Sequence, residues 1–166
     1  PGVYEVDMCT PMKKVINEIG GGFKEPVKAL QIGGPLGGVV PIKEVEKLNL
    51  DFQEFIAAGF MLGHAGIVSI PKDFNMVEYI HHLFEFSAEE SCGKCFPGRL
   101  GSYRGKEMFD QAINKSKKIP LKLLNELLVT MKKGSLCALC GAIPVPIMNI
   151  LKYFSDEMKS DIVQEN

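Results

Sequence analysis

Four of the five cysteines in this 166-residue chain form two Cys-x-x-Cys pairs, Cys92 with Cys95 and Cys137 with Cys140. A spacer of two residues lets a turn direct both thiolates of a pair toward one metal centre. Two such pairs that meet in the folded chain supply four sulfurs, the ligand set of structural zinc and of iron–sulfur clusters. The spacing therefore predicts a metal or cluster site. It leaves open zinc, an iron–sulfur cluster, or two buried or redox-active dithiols.

The composition excludes several classes of function. A formal charge of −1 provides no excess of Lys and Arg for binding phosphates, so no nucleic-acid partner is expected. No apolar run approaches the roughly 20 residues that span a bilayer, so no direct membrane insertion is expected. No signal peptide opens the sequence, which favours a reducing, cytoplasmic location and metal binding over disulfides. Because the first residue is Pro1 and not Met, we expect the chain to be a piece of a longer protein.

Residues 1–72 show a pattern typical of a small α+β domain. The predicted elements are strands at 3–6, 27–32, 39–42 and 66–71, a helix at about 11–19 and a helical turn at 52–57. Thr10 is the predicted N-cap of the first helix, and the neighbouring Cys9 is expected to be a small buried hydrophobe. Strands, a crossing helix and glycine loops predict a β-grasp-like domain. The loop at 33–38 lacks the spacing of phosphate-binding loops, so a turn between strands is expected there.

Residues 73–166 show helical periodicity instead. Apolar residues share one face in four stretches, namely Val77, Ile80 and Phe84; Met108, Phe109, Ala112 and Ile113; Leu124, Leu127, Leu128 and Met131; and Ile147, Ile150, Leu151, Phe154 and Met158. Short loops between these stretches predict a four-helix bundle, so the expected fold class is α+β. One cysteine pair follows the first helix and the other precedes the last helix. Antiparallel packing would bring both pairs to one end.

The segment Glu90–Gly101, Glu-Ser-Cys-Gly-Lys-Cys-Phe-Pro-Gly-Arg-Leu-Gly, resembles the cluster loop of the NADH-binding flavoprotein subunits of respiratory complex I. It is also similar to their relatives in NAD-linked hydrogenases and formate dehydrogenases. Further similarity at 58–63, 66–70, 136–139 and 144–154 extends the resemblance over nearly the whole chain, in the family's order. The resemblance implies a soluble-ligand-binding β-grasp (SLBB) domain followed by a four-helix bundle that holds a [4Fe-4S] cluster.

The sequence departs from this family at two points. The family's third cysteine ligand is replaced by Gly98, which cannot bind iron, while Cys140 stands where the family usually has glycine. We expect Cys140 to supply the missing thiolate, so that the ligands are Cys92, Cys95, Cys137 and Cys140. The glycine-rich domain that carries the family's flavin and NADH sites is absent from this chain.

The resemblance implies an electron-transfer module of an NADH:acceptor oxidoreductase, which relays electrons from a flavin through the [4Fe-4S] cluster. FMN and NAD would bind only to a missing domain or partner. The expected partners are a flavin-containing domain or subunit and other iron–sulfur subunits, at most peripheral to a membrane complex.

Lys94 and Arg99 are expected to tune the cluster's reduction potential, since a nearby cation stabilises the reduced state, which carries more negative charge. No catalytic residue is expected, because no nucleophile–base–acid set or paired carboxylates occur. The first alternative is a zinc-stapled structural domain without a redox role, and the second is a small-ligand binder that uses the SLBB domain.

Overall fold

A computed structural model describes residues 1–163 of the chain. The chain divides into two compact units, Pro1–Phe74 and Asn75–Asn166. The first unit contains the glycine-rich, strand-forming part of the sequence, and the second contains both cysteine pairs. The division lies two residues beyond the boundary expected after residue 72.

The first unit is built on a small antiparallel sheet. Its elements are α1 (Met12–Lys14, continued by a π-helical turn, Val15–Ile19), β1 (Val27–Ile32), β2 (Gly38–Pro41), α2 (Ile42–Val45), α3 (Phe52–Ala57) and β3 (Ile67–Pro71). The sheet order is β2-β1-β3, with β1 antiparallel to both neighbours. Every residue from Ala29 to Ile32 is buried, since β1 is the central strand. Asp51 caps α3 by accepting hydrogen bonds from the N–H groups of Gln53 and Glu54.

Three expectations for the first residues are wrong. Residues 3–6 form no strand, and Val3 is fully exposed, because no neighbouring strand pairs with this segment. The helix begins after Pro11, while the Thr10 hydroxyl donates to the Asp7 carbonyl instead of capping the helix. Cys9 is exposed and has a φ of 65°, so it is not part of the core.

The second unit is mainly helical. Its elements are α4 (Met76–Glu90), α5 (Phe96–Ile113), β4 (Ile119–Pro120), α6 (Leu121–Gly134), α7 (Ala138–Ala142), α8 (Pro144–Tyr153), a 3₁₀ turn (Ser155–Met158) and β5 (Ile162–Val163). The four predicted helices correspond to α4, α5, α6 and α8. The short α7 and the parallel pairing of β4 with β5 were not predicted. The sheet of the first unit and these helices confirm the α+β class. No helix within residues 1–163 is long and apolar enough to cross a membrane.

Close packing of α4 against α5 fixes the end of the unit that carries the first cysteine pair. A Cβ added to Gly105 on α5 would lie 2.2 Å from the ring of Phe84 on α4, so only glycine permits this approach. The Phe84 ring also packs against Phe109, with a centroid distance of 5.8 Å. The C-terminus of α4 and the N-terminus of α5 are thereby held together at the connection that contains Cys92 and Cys95.

Candidate metal centre

The first cysteine pair lies in the short connection between α4 and α5. Gly93 turns the chain between the two cysteines with a φ of 71°, a left-handed conformation that favours glycine. Cys95 is the N-cap residue of α5, and Pro97 fits the first helical turn because its nitrogen needs no helical partner there. Cys92 is exposed, whereas Cys95 is half-buried. The connection therefore presents Cys95 toward the protein and Cys92 toward solvent.

The second pair lies on the segment that follows α6. Cys137 is the N-cap residue of α7 and is exposed. Cys140 lies within α7, and only 2% of its surface is exposed. A single helical turn thus separates an exposed thiol from a buried one, and the buried thiol faces the interior of the second unit.

Cys95 and Cys140 converge on Gly98, which lies in the first turn of α5. A Cβ added to Gly98 would lie 3.0 Å from the sulfur of Cys95 and 2.9 Å from the sulfur of Cys140. Because both sulfurs lie within 3.0 Å of one point, the distance between them is at most twice that value. The fold therefore brings one cysteine of each pair to the same place, where a glycine leaves room for both.

Electrostatic interactions connect a third cysteine to this group. Burial is the main cause that raises the pKa of Cys140, and negative charge on Cys137 and Cys95 raises it further. The pKa of Cys95 is lowered, first by the backbone N–H of Leu136 and then by that of Gly98. Leu136 precedes Cys137, so the backbone of the second segment reaches the sulfur of the first.

Hydroxyl groups surround the buried thiol. The Ser87 hydroxyl donates to the Cys140 sulfur at 3.9 Å, and the Cys140 thiol donates to the Ser91 hydroxyl oxygen at 3.9 Å. Ser135 Oγ is buried beside the Cys95 sulfur, and after the backbone N–H groups its hydroxyl helps to lower the pKa of that thiol.

The two predicted tuning cations lie in or next to the first cysteine connection. The Arg99 guanidinium donates to the carbonyl of Gly93 at 3.1 Å and lies over the Phe96 ring, 5.1 Å from its centroid. These contacts keep the positively charged guanidinium beside the loop between Cys92 and Cys95. Lys94 lies within that loop and is exposed to solvent.

The arrangement brings two of the four predicted ligands together, Cys95 and Cys140, and places Cys92 on the exposed side of the loop. Cys137 lies near enough for its charge to add to the effect of burial in raising the pKa of Cys140. Within residues 1–163, no three His, Cys, Asp or Glu side chains stand close enough together to hold one metal ion. The convergence of the Cys95 and Cys140 thiols at Gly98 nevertheless fits a sulfur-ligated group larger than an ion. Bound there, such a group would lie between the first turn of α5 and α7.

Sequence reasoning missed the serines of this site. Ser87 lies on the buried face of α4, one turn before Ser91. The helical periodicity otherwise places apolar side chains on this face. A serine at a core position of an amphipathic helix is the signal that could have identified it, since a buried hydroxyl requires a partner. Its partner, Cys140, is 53 residues away along the chain and cannot be identified by spacing.

Comparison with known proteins gives the same family as the cysteine loop. Residues 78–161 match the NADH-ubiquinone oxidoreductase-F iron–sulfur binding region. This match covers the second unit from α4 to the segment after α8, including both cysteine pairs.

Individual relatives resemble nearly the whole chain. The NADP-reducing hydrogenase subunit HndC of Solidesulfovibrio fructosivorans is 32% identical over 97% of this chain and 33% of its own length. An NADH-quinone oxidoreductase subunit of Rickettsia bellii is 31% identical over 98% of this chain and 40% of its own length. The chain thus spans well under half the length of these curated relatives.

A solved structure shows the same fold. The crystal structure of an NAD⁺-reducing [NiFe]-hydrogenase in the H₂-reduced state superimposes on the whole chain with a TM-score of 0.85. The two sequences are 21% identical, and the match covers 28% of the hydrogenase chain. The resemblance first seen in the cysteine loop is confirmed, and this chain belongs to the NADH-ubiquinone oxidoreductase-F iron–sulfur binding region family.

Proposed function

We propose that this chain is the electron-transfer module of an NADH:acceptor oxidoreductase, relaying electrons from a flavin on another domain or subunit through a [4Fe-4S] cluster. When bound, such a cluster accepts and releases single electrons without proton transfer. The proposed ligands are Cys92, Cys95, Cys137 and Cys140. Family membership implies an iron–sulfur site, and membership of an oxidoreductase family implies electron transfer.

The observation that carries the proposal is the position of Cys140. Its sulfur lies 2.9 Å from the point where a side chain at position 98 would begin, and the Cys95 sulfur lies 3.0 Å from the same point. This closeness supports the proposal that the Cys140 thiol takes over the role that the family assigns to a cysteine at position 98. The missing ligand is supplied from another element, which keeps four thiols available.

We favour a cluster over a zinc ion, first because the matched family is an iron–sulfur binding region. Zinc holds each thiolate at about 2.3 Å, which requires all four sulfurs to be closely grouped. The described residues contain no such group of three. A cubane takes one thiolate at each of four irons, so its ligands stand around a wider centre. No observation favours the zinc-stapled scaffold.

The protein environment also suits a negatively charged group. The backbone N–H groups of Leu136 and Gly98 are directed at the Cys95 sulfur, and both favour its thiolate form. Arg99 is held at the loop by its hydrogen bond to Gly93, and the exposed Lys94 adds a second positive charge. These groups would stabilise thiolate ligands and the added negative charge of reduction.

The proposed partners follow from how little of each relative's length this chain covers. The relatives are subunits of hydrogenase and NADH-quinone oxidoreductase enzymes, and this chain matches well under half of each. We place FMN and NAD on a separate domain or subunit, with other iron–sulfur subunits as electron acceptors. We place the assembly in the cytoplasm or at the periphery of a membrane complex, where free thiols stay reduced. The chain alone is expected neither to bind nor to oxidise NADH.

Anaerobic purification followed by iron, sulfide and zinc analysis tests the proposal. About four irons and four sulfides per chain, with a brown colour that dithionite bleaches, are expected for a [4Fe-4S] site. One zinc per chain without colour would contradict the redox role. Saturable NADH oxidation by the purified chain would contradict the assignment of flavin and nucleotide to another domain.

A further inference from the structure

Ser87 is a polar residue in an apolar environment. It lies on α4 with none of its surface exposed, on the same helix face as the buried residues Ile80, Leu83 and Phe84. Burying a hydroxyl without a hydrogen bond destabilises a fold, so a buried serine is expected to have a partner. The partner of Ser87 identifies what the hydroxyl does.

That partner is the buried thiol of the candidate metal centre. The Ser87 hydroxyl donates to the sulfur of Cys140 at 3.9 Å. One turn later, the Ser91 oxygen accepts from the same thiol at 3.9 Å. Cys140 is thus held between two hydroxyls on the C-terminal part of α4, and of the two serines Ser87 is the one shielded from solvent.

We propose that Ser87 is a positioning residue that donates a hydrogen bond to the Cys140 thiolate and thereby raises the reduction potential of the bound cluster. This inference rests on the proposed function. Ligation removes the proton from Cys140, so its sulfur can then only accept hydrogen bonds. Ser87 already donates in that direction, and Ser91 can rotate its hydroxyl to do the same.

The effect on potential follows from charge. Reduction by dithionite adds one electron to the cluster and its thiolates, forms or breaks no bond at Ser87, and leaves the serine proton in place. The reduced state carries one more negative charge, so a hydrogen bond to a ligand sulfur stabilises it more than the oxidised state. Removing the donor therefore makes reduction less favourable.

The chain offers a matched control on the adjacent helix. Ser102 on α5 is also fully buried, but its hydroxyl donates to the backbone carbonyl of Gly98 and not to a sulfur. Ser102→Ala removes a buried hydroxyl of the same size close to the site. Ser87→Thr supplies the second comparison, because threonine retains the hydroxyl donor.

The test uses the whole chain, purified anaerobically with its cluster, and a dithionite titration followed by electron paramagnetic resonance. Ser87→Ala is expected to lower the equilibrium constant for reduction by up to about tenfold, a shift of about 59 mV to more negative potential for one electron. Ser102→Ala and Ser87→Thr are expected to keep the wild-type potential. Iron and sulfide per chain are measured on each variant. The resonance signal reports only the loaded fraction, so the potential is obtained even if loading falls.

Three results would overturn the inference, and only the last of them would also overturn the proposed function. A loaded Ser87→Ala variant with the wild-type potential, or an equal shift in Ser102→Ala, rejects the role of Ser87 and leaves the proposed function intact. A wild-type chain that binds no iron rejects both the proposed function and this inference.

Discussion

The thiol of Cys140 occupies the space that a side chain at position 98 would need. A Cβ added to Gly98 would lie 2.9 Å from the Cys140 sulfur and 3.1 Å from the Cys140 Cβ, distances that force a shift. The two positions are therefore coupled: a side chain at 98 would crowd the thiol at 140, and glycine leaves room for it. Relative to the family motif, the sequence lacks a cysteine on α5, at Gly98, and has an additional one on α7, Cys140.

Exchanging the two residues tests this coupling. Cys140→Gly should lose most of the bound iron, because it removes one thiolate, and Gly98→Cys alone should disturb the site by crowding Cys140. The double variant, Gly98→Cys with Cys140→Gly, should restore iron and sulfide to wild-type levels. Glycine within α7 destabilises that helix by about 0.5–1 kcal/mol, which is small beside the loss of a ligand. Full iron content in Cys140→Gly alone would show that Cys140 is not a ligand.

Parts of the fold could be predicted because their signals are local. The strand at Val27–Ile32 and the helical turn at Phe52–Ala57 have the predicted bounds, since β-branched and apolar residues lie between glycine and proline breaks. Residues 3–6 have the same local composition but form no strand, because a strand also requires a neighbour to pair with.

In the candidate site, too, the sequence predicts what depends on local spacing and not what depends on distant neighbours. Cys-x-x-Cys spacing identified the sulfurs, and helix order predicted that the two pairs meet at one end. The serine at core position 87 could have been noticed in the helical pattern, but its partner could not be predicted, because that partner depends on which atoms α7 brings beside it. The role of Gly98 as an open space, and not only as a missing ligand, required coordinates for Cys95 and Cys140.

Gly105→Ala is expected to destabilise the second unit. The added Cβ would lie 2.2 Å from the Phe84 ring, so α4 and α5 would have to separate, at a cost of about 1–3 kcal/mol. Gly141→Ala is the control, because its nearest neighbour would be 3.8 Å away and alanine favours helix. Urea unfolding of the cluster-free chain gives both free energies. Equal stability of the two variants would show that the packing of α4 on α5 is looser than described.

The ion pair between Glu85 on α4 and Lys106 on α5 should make stability depend on pH in acid. Lys106 Nζ lies 2.9 Å from Glu85 Oε1, and this hydrogen bond is the main cause that lowers the pKa of Glu85 below its ordinary value of 4.5. A lowered pKa in the folded state contributes stability above pH 4.5. That contribution is lost as the pH falls through the lowered value.

The free energy of unfolding of the wild type and of Glu85→Gln is measured at a series of pH values between 7 and 2. The wild type should be the more stable at pH 7, by a small margin because the pair is partly exposed, and the difference should vanish in acid. Lys106→Gln should remove the same pH dependence, and added salt should reduce it. A difference that stays constant down to pH 2 would mean that the pair does not couple stability to protonation.

Arg99 should raise the reduction potential through its charge. Its guanidinium is held at the carbonyl of Gly93, which lies between Cys92 and Cys95 in the sequence. Its positive charge therefore stabilises the reduced cluster, which carries one more negative charge than the oxidised cluster. Arg99→Gln should therefore shift the potential of the loaded chain to a more negative value, and Arg99→Lys, which keeps the charge, should shift it less. The shift should shrink as ionic strength rises, because the side chain is exposed.

Arg104 is the control for Arg99, because it carries the same charge but lies further along α5, away from the cysteine loop. It lies further along α5 and pairs with Glu107, with 3.1 Å between Nη1 and Oε2. Because Glu107 offsets its charge, Arg104→Gln should change the potential less than Arg99→Gln. Dithionite titration of both variants at low salt measures the difference. Equal shifts would indicate that the cluster responds to the net charge of α5, and an unchanged potential in Arg99→Gln would remove Arg99 from the tuning groups and leave Lys94 as the candidate cation.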